Sequence, residues 1–463
     1  MATAAHARPY GPGPHGPDPQ AAGPAAIPAA QPIPRLQIPE LQTCIQCGFC
    51  LQHCPTYRIL GTETESPRGR IHLIEAAAQG RIPIDARLEE HLYVCLGCRA
   101  CETACPAGVK FGTIIEAGRA EIGPTGSRLA RRLTLLALRH LMPHPERLRL
   151  AAGLLRLYQR SGLGRLARAL HVLPRRLGEM EALLPLVPDR FFNPRQELFP
   201  AIGPRRARVG LLGGCVMSVL FGDINDATIR VLQRNGCDVV IPRGQACCGA
   251  LNIHNGERSA AKRMARRNIE AFLAAGVDAV IINAAGCGAA SKEYHILFRE
   301  DDPAYAGRAE RYSRLCRDIT EFLDGLGLTG ALGEVRARVT YQDPCHLAHG
   351  QGIRRQPREL LRSIPGVELV EMSGADRCCG SAGVYNLVQP ALSRQILDEK
   401  MAAVAQTGAA ILVAPNPGCM LQLASGVQAK GLQMSVCHLI DLLDRAYAAA
   451  EPQGGRRPAP PIT

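Results

Sequence analysis

The chain has 463 residues, 46% of them hydrophobic and 21% charged, with no Trp and few aromatics, a globular composition long enough for about three domains. No stretch approaches the ~18 uninterrupted apolar residues of a membrane-spanning helix, which excludes an integral helical membrane protein. The formal charge is +13, but between Arg128 and Arg176 stand twelve Arg, no Lys and one acid, Glu146, so a single segment holds a net +11 and the remainder is nearly neutral.

Cysteine dominates the chemistry. There are 19, an odd number that argues against a complete disulfide framework. The N-terminus, MATAAHARPYGPGPHGPDPQ, has no apolar h-region, so the sequence predicts a cytoplasmic chain in a reducing compartment. There, clustered cysteines read first as metal ligands or redox groups.

Residues 1–40 are rich in Pro, Ala and Gly and read as a flexible tail. Residues 41–123 carry one motif twice: Cys44-x2-Cys47-x2-Cys50-x3-Cys54-Pro55, then Cys95-x2-Cys98-x2-Cys101-x3-Cys105-Pro106. A [4Fe–4S] cube needs four thiolates around one compact body. Three cysteines at this spacing wrap one turn of chain around three irons, and the fourth, before proline, serves the other cluster. The motif therefore predicts two [4Fe–4S] clusters, one on Cys44, Cys47, Cys50 and Cys105, the other on Cys95, Cys98, Cys101 and Cys54. Zinc is the competing reading, but zinc sites use isolated C-x2-C pairs or Cys/His sets. Between the motifs, Ser66-Pro67 followed by residues 70–78 predicts a capped helix with Pro at its first position. Arg68 and Arg70 read as surface ion pairs; tuning of a cluster by their charge is the alternative.

Residues 124–204 form the basic segment, predicted as several short helices punctuated by Pro143, Pro145, Pro174, Pro185 and Pro188. Leu129, Leu133 and Leu136 share one helical face. A basic amphipathic helix suits a membrane surface or a partner groove, and a solvated Arg face over a leucine core is the competing reading. Tyr158 is the one aromatic between Arg128 and Arg176, which makes nucleic acid an unlikely partner. Gly162-x-Gly164-x-x-Ala167 has dinucleotide-fold spacing, but no strand precedes it and it is discarded. The sequence offers no flavin site.

From residue 205 short apolar runs alternate with helical stretches, predicting α/β units with parallel sheets. Strands are expected at 209–212, 238–241, 279–282 and 411–414, and helices at 260–275 and 390–406. The two halves, 205–330 and 331–450, repeat: Cys215 maps onto Cys345, Cys247-Cys248-Gly249 onto Cys378-Cys379-Gly380, and Cys287 onto Cys419, at offsets of 130 to 132. Each set follows predicted strand ends, where α/β sheets gather ligands. Cys215, Cys247, Cys248, Cys287, Cys345, Cys378, Cys379 and Cys419 are thus candidate ligands of a further cluster. Cys237, Cys316 and Cys437 read as buried hydrophobes, and His346 and His349 as capping or core residues. Residues 451–463 read as a second flexible tail.

Each half resembles the cysteine-rich "CCG" domain found in heterodisulfide reductase and in several electron-transfer subunits. That motif closes with C-x-x-C, where Ala290 and Gln422 stand here, so a cluster needing a fifth ligand lacks its last donor, and an ordinary four-thiolate site or merely close-packed thiols are the readings left open. From about Leu41 to Ala446 the chain resembles the iron–sulfur subunits of glycolate oxidase (glycolate dehydrogenase). Cys-Gly-Phe-Cys at 47–50, Cys-Pro-Thr-Tyr at 54–57, Ser-Pro-Arg-Gly-Arg-Ile at 66–71, Gly-Cys-Gly-Ala at 286–289 with Lys292-Glu293-Tyr294, and Cys-Cys-Gly-Ser-Ala-Gly at 378–383 carry the match. The fold implied is a mainly helical, ferredoxin-type two-cluster domain followed by two repeated α/β CCG domains. The resemblance further implies FAD-containing partners that oxidise the 2-hydroxy acid, no catalytic residue on this chain, an acceptor such as membrane quinone, and peripheral attachment at the cytoplasmic face of the inner membrane. Iron–sulfur subunits of glycerol-3-phosphate or lactate dehydrogenases, and heterodisulfide-reductase-like enzymes, are the alternatives.

Overall fold

The structure is a computed structural model that describes residue 36 and residues 38–162, 186–299 and 302–451. Most of the N-terminal tail, the tail beyond 451, Pro174, Pro185, and the Gly164 and Ala167 of the discarded dinucleotide match lie outside the described residues.

The first domain is helical: α1 (Pro55–Leu60), α2 (Pro67–Ala78), α3 (Ala86–Val94), α4 (Ala100–Thr103) and α5 (Phe111–Ile122). Ser66 caps α2 by accepting the Gly69 amide at 2.9 Å, and Asp85 caps α3 by accepting from Arg87 and Leu88. Ile74, Leu92, Ile114 and Ile115 form the centre of its core. Leu36 and Ile38, read from sequence as tail, are buried in that core, so the ordered domain begins earlier than residue 41.

The basic segment continues with α6 (Arg128–Leu136), a π-helical turn over Ala137–Leu141, and α7 (Pro145–Ser161). Here the structure corrects the leucine-core reading. No residue of α6 is buried, and Leu129, Leu133 and Leu136 face outward. Helix α7 buries Leu148, Ala152 and Leu155 against Val187, Val219 and Leu220, but leaves a second stripe, Leu150, Leu154 and Leu157, exposed.

The two α/β halves have matching sheets. In the first, β1 (Leu198–Phe199), β2 (Ala207–Leu211), β3 (Cys237–Val240), β4 (Ala279–Ile282) and β5 (Cys316–Asp318) lie in the order β1-β3-β2-β4-β5. All pair in parallel except β1, an antiparallel edge. In the second, β6 (Ala337–Tyr341), β7 (Val367–Leu369), β8 (Ile411–Val413) and β9 (Ser435–Cys437) lie in the order β7-β6-β8-β9, all parallel. The order 3-2-4-5 thus recurs as 7-6-8-9. Runs such as Ala279–Ile282 are apolar throughout because both sheet faces are covered by helices.

Helices of the first half are α8 (Cys215–Leu220), α9 (Gly222–Arg234), α10 (Ala250–His254), α11 (Arg258–Ala274), α12 (Ala285–Lys292), α13 (Tyr294–Phe298), α14 (Pro303–Leu315) and α15 (Ile319–Leu326). Those of the second are α16 (Cys345–Ala348), α17 (Arg355–Arg362), α18 (Tyr385–Val388), α19 (Pro390–Gln406), α20 (Pro417–Lys430) and α21 (Leu439–Ala449). The closing helix of each half opens on a capping box, Asp318 with Glu321 and His438 with Asp441.

The halves embrace reciprocally. Helix α9 packs on α21, and α15 packs on α17. Arg230 holds Asp444 at 2.6 Å across the first contact, and Arg355 holds Asp324 at 2.7 Å across the second. One continuous core runs through both sheets, from Val209, Leu211 and Ile281 to Val339, Tyr341 and Val413.

Candidate functional site

The two motif loops of the helical domain share one backbone conformation. Gln46 and Gly48 in the first, and Gly97 and Arg99 in the second, all have positive φ (58°, 83°, 66° and 64°) and stand at equivalent places after Cys44 and Cys95. Such turns form nests that point successive amides into a concavity, the recurring backbone of iron–sulfur sites. Gln46 and Arg99 are strained there, since a Cβ is unfavourable in that conformation. The Gly97 amide donates to Cys95 Sγ at 3.3 Å.

Cys54 sits at the N-terminus of α1 and lines a small cavity of about 20 Å³ together with Cys95, Cys98 and Cys101. Cys44, Cys47 and Cys50 do not line it. Cys44, Cys50 and Cys105 instead pack, partly buried, on the α2–α5 core, and Cys47 is exposed. Burial pushes the Cys50 thiol up to about 11 and the Cys98 and Cys101 thiols well above their ordinary value. Thiolates in such surroundings need bound cationic iron to compensate their charge. Among the described residues no three Cys, His, Asp or Glu side chains converge closely enough to hold a metal ion.

Behind Cys54 lies a buried polar network that sequence reasoning missed. Arg70, read as a surface pair, is fully buried. It donates to the carbonyls of His91 at 2.7 Å and Glu65 at 2.8 Å, to Thr56 Oγ1 at 3.2 Å and to the buried Glu65 carboxylate. Glu65 Oε1 also meets His91 Nδ1 at 2.5 Å, and Thr56 Oγ1 stands 3.2 Å from Cys54 Sγ. This clamp fixes the Cys54 turn against α3, which leads into Cys95. Arg68, in contrast, makes the surface pair expected of it, with Glu63.

In the α/β halves the cysteines gather at the carboxyl ends of three parallel strands. Cys215 opens α8 after β2, Cys247 and Cys248 follow β3, and Cys287 lies on α12 after β4. Cys345, Cys378-Cys379 and Cys419 occupy the same places after β6, β7 and β8. Cys215 and Cys247 sulfurs are 3.2 Å apart, and Cys248 and Cys287 sulfurs 3.0 Å. The second set is linked in the same series, Cys345 to Cys378 to Cys379 to Cys419. The Cys378 thiol, then burial, pushes Cys345 well up. Gly380 permits the turn: its φ is +89°, and a Cβ there would lie 2.7 Å from the Ser393 carbonyl. At the absent fifth positions Ala290 is buried, and Gln422 donates to Ser393 Oγ at 3.0 Å.

All eight of these cysteines, with Cys95, line a central cavity of about 250 Å³ between the halves and the helical domain. Three contacts dock the Cys95 loop there. Arg119 donates to the Leu92, Cys95 and His254 carbonyls, Tyr385 Oη to the Val94 carbonyl at 2.9 Å, and His346 Nε2 to the Gly97 carbonyl at 3.0 Å. Cys98 packs with Cys345 and Cys378 in one apolar cluster, so the second motif loop adjoins the second half in particular. His346 and His349 serve as interface residues, the latter meeting Thr103 Oγ1 at 2.9 Å. Cys237, Cys316 and Cys437 lie buried in strands β3, β5 and β9.

A buried cation distinguishes the two halves. Lys400 on α19 donates to the Gly374 and Ala375 carbonyls at 2.6 and 3.2 Å, just before Cys378. Burial pushes its pKa down to about 8. The equivalent residue on α11, Asn268, ties the first half's loop as a neutral amide.

Comparison with known proteins adds an independent finding. Residues 40–109 match the family described as 4Fe-4S dicluster domain, 126–184 the glycolate oxidase iron-sulfur subunit linker region, and 209–290 and 339–424 the cysteine-rich domain. The chain is 47% identical over 424 residues to the probable glycolate oxidase iron-sulfur subunit of Bacillus subtilis, covering 88% of this chain and 94% of the relative. It is 34% identical over 410 residues to the glycolate oxidase iron-sulfur subunit of Escherichia coli, again 88% and 94%. One subunit of the fumarate reductase (CoM/CoB) of Methanothermobacter marburgensis is 28% identical, over 88% of this chain and 73% of the relative.

Proposed function

We propose, from the premise that the chain belongs to the glycolate oxidase iron–sulfur subunit family, that its cysteine sites form an ordered path from an exposed donor-facing edge to the centre of the molecule. The chain is an iron–sulfur electron-transfer subunit of glycolate oxidase. In our reading Cys44, Cys47, Cys50 and Cys105 hold one [4Fe–4S] cluster, and Cys95, Cys98, Cys101 and Cys54 the other. When bound, these clusters supply one-electron steps that link a two-electron hydroxy-acid oxidation to the acceptor. Oxidation of glycolate to glyoxylate belongs to FAD-containing partner subunits.

The observation that carries this reading is the difference in exposure between the two loops. Cys47 is exposed and flanked by two exposed apolar side chains, Ile45 and Phe49. That edge suits docking of a flavin partner. Cys98 and Cys101 are buried, which excludes water from the second site. Cys98 shares an apolar cluster with Cys378, against which Cys345 packs, so the second half is the nearer candidate for a further cluster. Lys400 then places a positive charge behind those thiolates. We further propose membrane quinone as acceptor and a peripheral position on the cytoplasmic face of the inner membrane.

Anaerobic reconstitution tests the cofactor reading. It should give about eight irons per chain, or about twelve if one CCG half also fills. Stoichiometric zinc without iron would refute it. Reconstituted chain alone should not oxidise glycolate, and adding the FAD partner should restore glycolate-dependent dye reduction. Turnover by the isolated chain would place the oxidising site here instead.

A further inference from the structure

We propose that the outward faces of α6 and α7 form a lipid-binding surface that seats the complex on an anionic membrane. The inference rests on the reading of a membrane acceptor and supplies the surface that this reading lacks.

The two helices carry the same exposed pattern. Leu129, Leu133 and Leu136 on α6, and Leu150, Leu154 and Leu157 on α7, stand at i, i+4 and i+7 and are 57 to 67% exposed. Helix α7 does not need this stripe for folding, because its opposite stripe, Leu148, Ala152 and Leu155, already packs on the first α/β half. Isolated exposed leucines are ordinary, but six in two helical stripes, on helices joined by one π-helical turn, mark an interaction surface.

Charge selects the occupant. At about 100° per residue, Arg128 and Arg132 flank the α6 stripe, and Arg147, Arg149 and Arg160 flank the α7 stripe. From residue 128 to 162 the single acid is Glu146. Arg128, Arg132 and Arg149 have no ion-pair partner among the described residues. Leucines on the crest with arginines beside them are the pattern of an interfacial helix, whose apolar stripe enters the acyl boundary while cations meet lipid phosphates. A protein partner would need an acidic groove shaped to two convex helices; a fluid anionic bilayer needs no such shape. No described helix is long and apolar enough to cross a membrane, so the contact is with the surface.

The test uses the iron-loaded full chain in complex with its partner subunits, floated with vesicles of phosphatidylcholine alone or with added phosphatidylglycerol. Wild type should float with the anionic vesicles and remain behind with the neutral ones. The L150S/L154S/L157S variant and the R128Q/R132Q/R149Q variant should each lose roughly tenfold or more in partitioning. Their iron content and dye-linked glycolate oxidation should stay at wild-type levels, showing a folded chain. Absence of flotation by wild type overturns the proposal. So does flotation that the leucine variant does not weaken. If the leucine variant instead loses its partner subunits, the face is a protein interface and the proposal also fails. Loss of dye reduction in wild type would strike the electron-transfer reading while leaving the flotation result standing.

Discussion

Replacing Arg70 by Met tests whether the buried clamp behind Cys54 holds the second motif site together. Met fills much of the volume but removes every donor. The His91 and Glu65 carbonyls and Thr56 Oγ1 lose partners at 2.7, 2.8 and 3.2 Å. The Glu65 carboxylate, 6% exposed, is left with His91 alone. Breaking a buried pair from one side costs about 3–5 kcal/mol, because the surviving charge stays uncompensated. Removing both charges costs much less, so E65Q/R70M should recover at least half of that loss. The measurement is urea unfolding of the iron-loaded chain, followed by visible cluster absorbance and compared between variants of equal iron content. A cost below about 1 kcal/mol for R70M, or a double variant no more stable than the single, would refute the reasoning.

The remaining predictions concern other parts of the molecule. Cys98→Ala should remove about four irons per chain, whereas Cys237→Ala, in strand β3, should leave iron content unchanged and cost about 1 kcal/mol in unfolding experiments. Gly380→Ala combines a left-handed backbone with a 2.7 Å approach to the Ser393 carbonyl, and should cost about 3 kcal/mol or more. Gly431→Ala, also at positive φ but with open space around its Cβ, should cost about 1–2 kcal/mol, and thermal melting of the two variants separates clash from conformation. His438 is fully buried, and burial lowers its pKa to about 4. The unfolded chain therefore binds its proton first as pH falls below about 6.5, so stability is lost between pH 6.5 and about 4, by roughly 3 kcal/mol. His438→Asn keeps a capping acceptor and should flatten that part of the pH–stability curve; an unchanged slope would mean that His438 is not the group responsible.

Local reading succeeded where one short stretch holds all the information. The repeat offset linking Cys215 to Cys345, matched by the recurring sheet order, and the run Ala279–Ile282 are such cases. It missed β1, which is two residues long, and β5, β7 and β9, where polar residues interrupt three-residue strands that lack the unbroken apolar run of β8. It also placed Arg70 at the surface, since nothing near residue 70 reveals that Thr56, Glu65 and His91 close around it. The leucines of α6 show the same limit: spacing defined the stripe of Leu129, Leu133 and Leu136, but only packing decided which side faces water.

The sequence by itself determined the cysteine motifs, the α/β character of both halves and their duplication, because spacing and apolar runs are properties of consecutive residues. Tertiary structure alone decided that Arg70 is enclosed by Thr56, Glu65 and His91, that Cys98 adjoins Cys378, and that α9 and α15 exchange partners across the two halves. Those are contacts between residues tens to hundreds of positions apart. They arise when helices and sheets bury their apolar faces against one another, and no single segment encodes them.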